Sequence, residues 1–471
     1  MMSRQGNKQS CFHLVNIEDL VEPNHFLRKL DKAINFNFVY EIVEPLYSNK
    51  GRPSIDPVVL MKMLLIGYLY GIDSERKLEE NVKYNIAFRW YLGLDLDSPV
   101  PDHSTFSQNR RRRFKGQEVF RKIFERIVFK CIVFKCIEAG LVEGENVVMD
   151  STHIKANASN RNTVNVEVIR TPKAYWDDLN KTELKPEKII KSKNPNDPDA
   201  GYMGRHNKPK GFHYLSHQCS DANSGVILDV DVTGGDVPDC ECCVKRYKYL
   251  KHILKLPIKA AGLDSGYDTI AIHYGLNRLG IKTFIRPFER GFKKETKWFS
   301  RKDFTWDKNN NRYICPNRKE LPYRWITYPK GNVPMLIYAA NNKDCQYCPL
   351  RDKCIPAKRL HREITRRIYV EYQDAGRARI GTFMYKQIMK QRQIVCEGNF
   401  ALQKRCHNLR FTRFRGIENV LAQCLFSASA LNLKRLIKYG NIPEIPDISE
   451  TKAALLSGIN ISIAYLCVKI Q

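Results

Sequence analysis

Two aspartates in this chain each close a short apolar run: Asp150 ends Val147-Val-Met-Asp and Asp264 ends Ala261-Gly-Leu-Asp. Such runs read as buried strands, and an acid at the carboxyl end of a strand loses its hydration unless it is paired or binds a cation. The strand-end crevice of an α/β sheet is also where ligands sit. Each acid alone is as well explained as the cap of the following turn, because Asp-Ser and Asp-Ser-Gly form turns readily. Both together, in a strongly basic chain, invite a metal. A third acid, Glu397, lies in the helical stretch Arg392-Gln-Ile-Val-Cys-Glu-Gly-Asn-Phe-Ala-Leu-Gln-Lys. Seven residues make nearly two helical turns, so Lys390 and Lys404 share its face to within about 20°. Arg392, five residues back, points about 140° away, toward a neighbouring strand or a phosphate elsewhere. A surface acid among basic residues would carry the same pattern.

A second group able to do chemistry is made of thiols. Cys315-Pro and Cys345-x-x-Cys348-Pro-Leu-Arg-x-Lys-Cys354 place four cysteines in one irregular stretch, a set that suits a tetrahedral structural Zn²⁺ site and equally describes unmetallated thiols. Cys240, Cys242 and Cys243 read as buried thiols. Fifteen cysteines in a chain of 471 residues is an odd number in clusters, which speaks against a disulfide framework.

The elements that must hold these groups change along the chain. Residues 1–140 read as helical, with Asp56-Pro57 starting one helix and Ser74 another. From Ser104 to Lys135 ten Lys/Arg stand against two Asp/Glu, and short helices with a basic member, Arg110, Arg111, Arg112 and Arg113 included, are the pattern of a helix-turn-helix module that meets DNA or of a solvated basic face. Val128-Phe-Lys-Cys-Ile132 is repeated at once by Val133-Phe-Lys-Cys-Ile137; five extra residues turn a helix by about 140°, so either a flanking loop absorbs them or packing suffers. Strands follow: 146–149, 213–218, 226–232, 258–263 and 283–286, with helices at 240–254 and 270–279. That order predicts a mixed α/β sheet with helices on its faces. Residues 287–374 read as an irregular insertion with the cysteine cluster, 375–440 as the helical region that carries Glu397, and 441–471 as a tail.

The balance of 78 Lys+Arg against 50 Asp+Glu leaves +28 and calls for a polyanionic partner. No run is long enough to span a bilayer, since Val58 to Tyr70 is 13 residues broken by Lys62 and Gly67 where about 20 are needed. With no apolar leader at the N-terminus, the cytoplasm is the expected compartment and a membrane is not an expected partner.

In order and spacing, Asp150, Asp264 and Glu397, with Arg392 five before and Lys404 seven after the Glu, resemble the DDE transposases of bacterial insertion sequences. Further similar segments are Gly51-Arg-Pro-Ser-Ile-Asp-Pro, Pro101-Asp-His-Ser-Thr-Phe-Ser, Asp150-Ser-Thr-His-Ile-Lys-Ala-Asn-Ala, Asp264-Ser-Gly-Tyr and Arg410-Phe-Thr-Arg-Phe-Arg-Gly. Where the family places a Tyr three residues before the Arg, this chain has Met389. The resemblance implies an RNase H-like α/β core behind an all-α DNA-binding domain. It implies three carboxylates holding Mg²⁺ or Mn²⁺, two ions in all, to cut double-stranded DNA at the terminal inverted repeats and join it to a target. It further implies Arg392, Lys404, Arg410, Arg413 and Arg415 on DNA phosphates, a homodimer or larger oligomer on DNA, and residence at the bacterial nucleoid. A DNA-binding remnant that represses the element, and an RNase H-like nuclease that does not transpose, are the alternatives.

Overall fold

The computed structural model describes residues 15–44, 54–108, 118–170, 187–204, 209–288, 298–327, 334–356 and 358–440. Helices come first: α1 Ile17–Leu20, α2 Phe26–Ala33, α3 Phe38–Val43, α4 Pro57–Leu69, α5 Glu75–Tyr84, α6 Ile86–Leu92, α7 His103–Gln108 and α8 Glu118–Glu138. Then come β1 Asn146–Lys155, β2 Val164–Arg170, β3 Glu187–Lys193, β4 Gly201–Met203, β5 Gly211–Asp221, β6 Ile227–Gly234, α9 Cys243–His252, β7 Ala260–Leu263, α10 Ile270–Arg278 and β8 Lys282–Ile285. The rest holds β9 Thr305–Asp307, β10 Arg312–Ile314, β11 Glu320–Thr327, β12 Met335–Ala339, α11 Asn342–Gln346, α12 Arg351–Cys354, β13 Glu363–Arg367, α13 Val370–Arg377, α14 Phe383–Cys406 and α15 Ile417–Tyr439. Three antiparallel strands, β1, β5 and β6, followed by α9, β7, α10 and β8, the parallel partner of β7, make the element order of an RNase H-like α/β core. Among the described residues no helix is long and apolar enough to cross a membrane.

Two compact units divide the chain, one drawn from 1–166, 192–258 and 390–471, the other from 167–191 and 259–389. In the first, local chemistry starts the helices where the sequence predicts. The Asp56 side chain accepts from the Val58 and Val59 N–H groups, Pro57 takes the first turn of α4, and Ser74 caps α5. Duplicated segments 128–132 and 133–137 both lie within α8, and each buries residues: Val128, Phe129, Cys131 and Ile132 from the first copy, Val133 and Cys136 from the second. The extra turn and a half is therefore absorbed as helix, packed against α15. Helix α15 is buried along most of its length, and its Asn432 amide bonds both the N–H and C=O of Ile227 at the start of β6.

Strand β5 is buried at every position and pairs antiparallel with β1, β4 and β6. One expectation is corrected here: β1 does not stop at Asp150 but runs on to Lys155, so Asp150 sits mid-strand. The register from Val147↔Asp221 to Lys155↔His213 decides this, with Thr152 and Ile154 filling the alternate buried positions. Of the three cysteines expected to be buried, Cys242 and Cys243 are, as is Cys219, whereas Cys240 is only half-buried; burial raises the Cys219, Cys242 and Cys243 thiols above their ordinary pKa.

In the second unit Ala260 of β7 and Phe284 of β8 pack with Ile388 and Tyr385. A second correction concerns 287–374. Its described part is not irregular but holds an antiparallel sheet of order β13-β12-β11-β10-β9 around Phe304, Tyr313, Leu321, Tyr338 and Ile364. Strands of three to eight residues are too short for alternation to stand out from sequence. The tail beyond residue 440 lies outside the described residues.

Candidate active site

Asp150 and Glu397 are positioned by β1 and α14. Residues Val395, Cys396 and Phe400 of α14 bury against Val148 and Ala222. Because strand side chains alternate, Val148 and Asp150 share the face that receives the helix. The helix answers with a polar stripe at Arg392, Asn399 and Gln403, a spacing of seven and four that keeps one face. Arg392 Nη2 lies 2.5 Å from Asp150 Oδ2, an ion pair only 14% and 16% exposed. Gln403 and Gln218 exchange amide hydrogen bonds of 2.8 and 3.0 Å, and Gln218 is the residue directly across from Asp150 in the β1–β5 ladder. Asn399 donates to the Ser220 hydroxyl and the Gly225 carbonyl. Glu397 lies about 140° around the helix from Arg392 and is exposed. Arg392 thus reaches the neighbouring strand, one of the two directions its helical angle allows. Gln218, Asn399 and Gln403 are absent from the sequence-derived site, although the regular spacing after Arg392 was the signal for two of them.

The basic segment after α14 docks at the far end of β1. Thr412 N–H donates to the Lys155 carbonyl, Asn157 N–H to the Thr412 hydroxyl, and Arg415 Nε to the Asn157 carbonyl. Arg410, Phe411 and Arg415 are exposed there, with the Arg410 guanidinium over the Phe411 ring. Burial lowers the His213 pKa, and the nearby charges of Lys155 and Lys404 lower it further. Arg413 is turned inward instead: it donates to the Ile72 carbonyl at 2.6 Å and lies over the Tyr68 ring. Next to it His407 bonds the Tyr68 carbonyl, and Asn408 the carbonyls of Gly67 and Ile72. Arg413 is thereby held to the turn that follows α4, where its guanidinium satisfies the Ile72 carbonyl. Arg110, Arg111, Arg112 and Arg113 lie outside the described residues.

Asp264 belongs to the second unit. It follows β7 and its Oδ1 accepts the Gly266 N–H at 2.9 Å, so it does cap the next turn. Four residues on, Asp268 is buried in a network that the sequence did not reveal. Its oxygens meet His273 Nε2, Gln373 Nε2, the Phe288 N–H and Arg377 Nη2. Burial alone would raise its pKa, but the hydrogen bonds from His273, Arg377, Phe288 and Gln373 outweigh that and hold it well below the carboxylate range.

Cys315, Cys345, Cys348 and Cys354 line one cavity of the second unit. Elsewhere, Glu79, Asp102 and His103 bring ligand-type atoms together in the helical region. Their contacts have local causes: Glu79 accepts from the His103 N–H and meets its ring at 2.7 Å, and Asp102 caps α7 through the Ser104 N–H.

Residues 15–112 match the family described as Transposase domain (DUF772), and residues 314–437 match the family described as Transposase DDE domain. No curated protein matches. Among solved structures, the chain is similar to the piggyBac transposase synaptic complex with hairpin DNA seen by cryo-electron microscopy, at 10% identity and a TM-score of 0.36, over 95% of this chain and 82% of that one.

Proposed function

From a chain that belongs to the DDE transposases of insertion sequences, we propose a protein that binds the terminal inverted repeats of its element, cuts them and joins them to target DNA, with Asp150, Asp264 and Glu397 as the catalytic acids. The observation that carries this reading is the seat of α14 on β1: the helix that bears Glu397 is tied to Asp150 by Arg392 and to the residue opposite Asp150 by the Gln218–Gln403 pair. A helix so tied fixes the backbone that carries Glu397 relative to the strand that carries Asp150, and phosphoryl transfer draws on groups held in place in this way.

Carboxylate oxygens are the donors that hard divalent cations take, and the guanidinium at Asp150 marks a place where positive charge is stabilised. Asp150, Asp264 and Glu397 would hold Mg²⁺ or Mn²⁺, two ions, which when bound would activate a water or 3′-OH and neutralise the phosphate. The chain's own residues prepare that chemistry. Arg392 holds the Asp150 carboxylate in its orientation. Asp268 anchors the loop that follows Asp264. Lys155, Lys404, Arg410 and Arg415 supply a basic surface at the end of β1, with Phe411 available to stack, and this surface would track the DNA backbone in a salt-dependent way. Assembly as a homodimer or larger oligomer on the two ends completes the proposal.

The test is cleavage of end DNA in Mg²⁺. Asp150→Asn and Glu397→Gln should each abolish cutting while binding in a gel shift persists. Variants that cut as well as the parent would show the acids to be misassigned.

A further inference from the structure

The sheet β9–β13 is built on a core of nine buried residues, two of which are Cys345 and Cys354. Segments with so little apolar burial usually need a disulfide or a metal to hold them. All four cysteines of the region line one cavity, together with the charged residues Lys319, Asp344, Arg351 and Arg362, and they reach it from several elements. Cys315 follows β10, Cys345 lies on α11, Cys348 follows α11, and Cys354 ends α12.

Their surroundings are those of ligands. The turn after Cys315 is closed by the Arg318 N–H on the Cys315 carbonyl, with Arg318 in the left-handed region at φ 54°. That turn points the Lys319 N–H at the Cys315 sulfur, 3.3 Å away. Asn317 Nδ2 approaches the Cys348 sulfur at 3.5 Å. Arg351 and Arg362 hold the carbonyls of Cys345 and Cys354, each at 2.9 Å. N–H groups aimed at sulfur are the hydrogen bonds that metal-bound sulfurs accept, and three cations against the single carboxylate of Asp344 leave the wall a positive surplus to set against the double negative charge that four thiolates around a divalent ion would carry.

We propose that Cys315, Cys345, Cys348 and Cys354 form a structural zinc site that staples the β9–β13 sheet to α11 and α12. The soft, all-sulfur donor set selects Zn²⁺ over the hard ions suited to carboxylates. No three of the sulfurs lie within 4.8 Å of one another, whereas Zn–S bonds of about 2.3 Å place tetrahedral sulfurs roughly 3.8 Å apart. Binding therefore draws the thiols inward by side-chain rotation, and their protons leave to solvent. Nothing in this site depends on the proposed transposition chemistry.

The full chain, purified and dialysed against metal-free buffer, should retain one zinc per chain by elemental mass spectrometry. Replacement by Co²⁺ should produce sulfur-to-cobalt charge-transfer absorption and the intense visible bands of a tetrahedral ion. Cys315→Ser and Cys348→Ser should each lower retained zinc by about tenfold or more, while Cys240→Ser, outside the cluster, should not. If the Ser variants fail to fold, the cobalt spectrum of the parent decides. A parent that retains no zinc, an octahedral cobalt spectrum, or a disulfide within the cluster in the freshly purified chain would overturn the proposal.

Discussion

Replacing Asp268 by Asn removes one charge from a buried network while leaving its size unchanged. The Asp268 side chain is 1% exposed and meets four donors, among them Arg377 at 2.6 Å. Asn can accept at one oxygen only, and its amide turns a donor toward donors. Breaking a buried pair costs about 3–5 kcal/mol, and a hydrogen bond to a charged group contributes about 1.5–3 kcal/mol. Arg377 is 43% exposed, so water screens part of the loss and the lower end applies, about 3 kcal/mol. For a unit of this size each kcal/mol moves the midpoint by about 2–4 °C, so its thermal transition should fall by roughly 6–12 °C. The assay is thermal and urea unfolding of parent and variant at pH 7, followed by the same pair in acid. The carboxyl is held below its ordinary value of 3.8, so its contribution is complete above that value and is lost as pH falls through the lower folded value. The gap between parent and variant should accordingly persist at pH 5 and close only below about pH 4. A variant that unfolds at the parent's midpoint at pH 7 would refute the role given to this network.

Three further outcomes are expected. Gln403→Leu should cost about 1–3 kcal/mol in urea unfolding by orphaning the Gln218 amide, and adding Gln218→Leu should recover most of it, because two apolar partners leave no buried polar group unpaired; a double variant as unstable as the sum of the singles would contradict this. Arg410→Ala should reduce the salt slope of end-DNA binding by about one, whereas Arg413→Ala should leave the slope alone and lower stability by about 1–2 kcal/mol, both read from salt-dependent anisotropy and urea unfolding. Burial lowers His217 and His407 to about 4 from an ordinary 6.5, so both are neutral in the fold and their stabilisation, complete above pH 6.5, is lost as pH falls toward 4. At 1.36 kcal/mol per unit that is up to about 3 kcal/mol each, and a urea midpoint that stays flat from pH 7 to 4.5 would be the contrary result.

Several parts of this molecule were legible from the residues alone. Asp56-Pro57 and Ser74 start helices because a cap acts over two or three residues. Asp264 ends β7 because a short apolar run followed by Asp-Ser-Gly carries its own turn chemistry. Glu397 stood out through its Arg and Lys neighbours, and the four cysteines through their spacing. Those features are local, and local chemistry needs no partner to express itself.

Other parts were decided by tertiary structure. Asp150 ends an apolar run, yet β1 continues beyond it, because a strand ends where its neighbour stops pairing and β5 pairs on to His213. Arg413 belongs by composition with the exposed Arg410 and Arg415, but the Ile72 carbonyl and Tyr68 ring lie more than 300 positions earlier in the chain, and only folding brings them within reach. Asp268 resembles any turn aspartate until Gln373 and Arg377 arrive from α13. The residue types and spacings thus determined which acids, bases and thiols could do chemistry, while the pairing of β1 with β5 and the seat of α14 upon them determined which reach a site and which hold the frame. The reason is that a side chain's role depends on the partner that removes its water, and that partner is named by the fold.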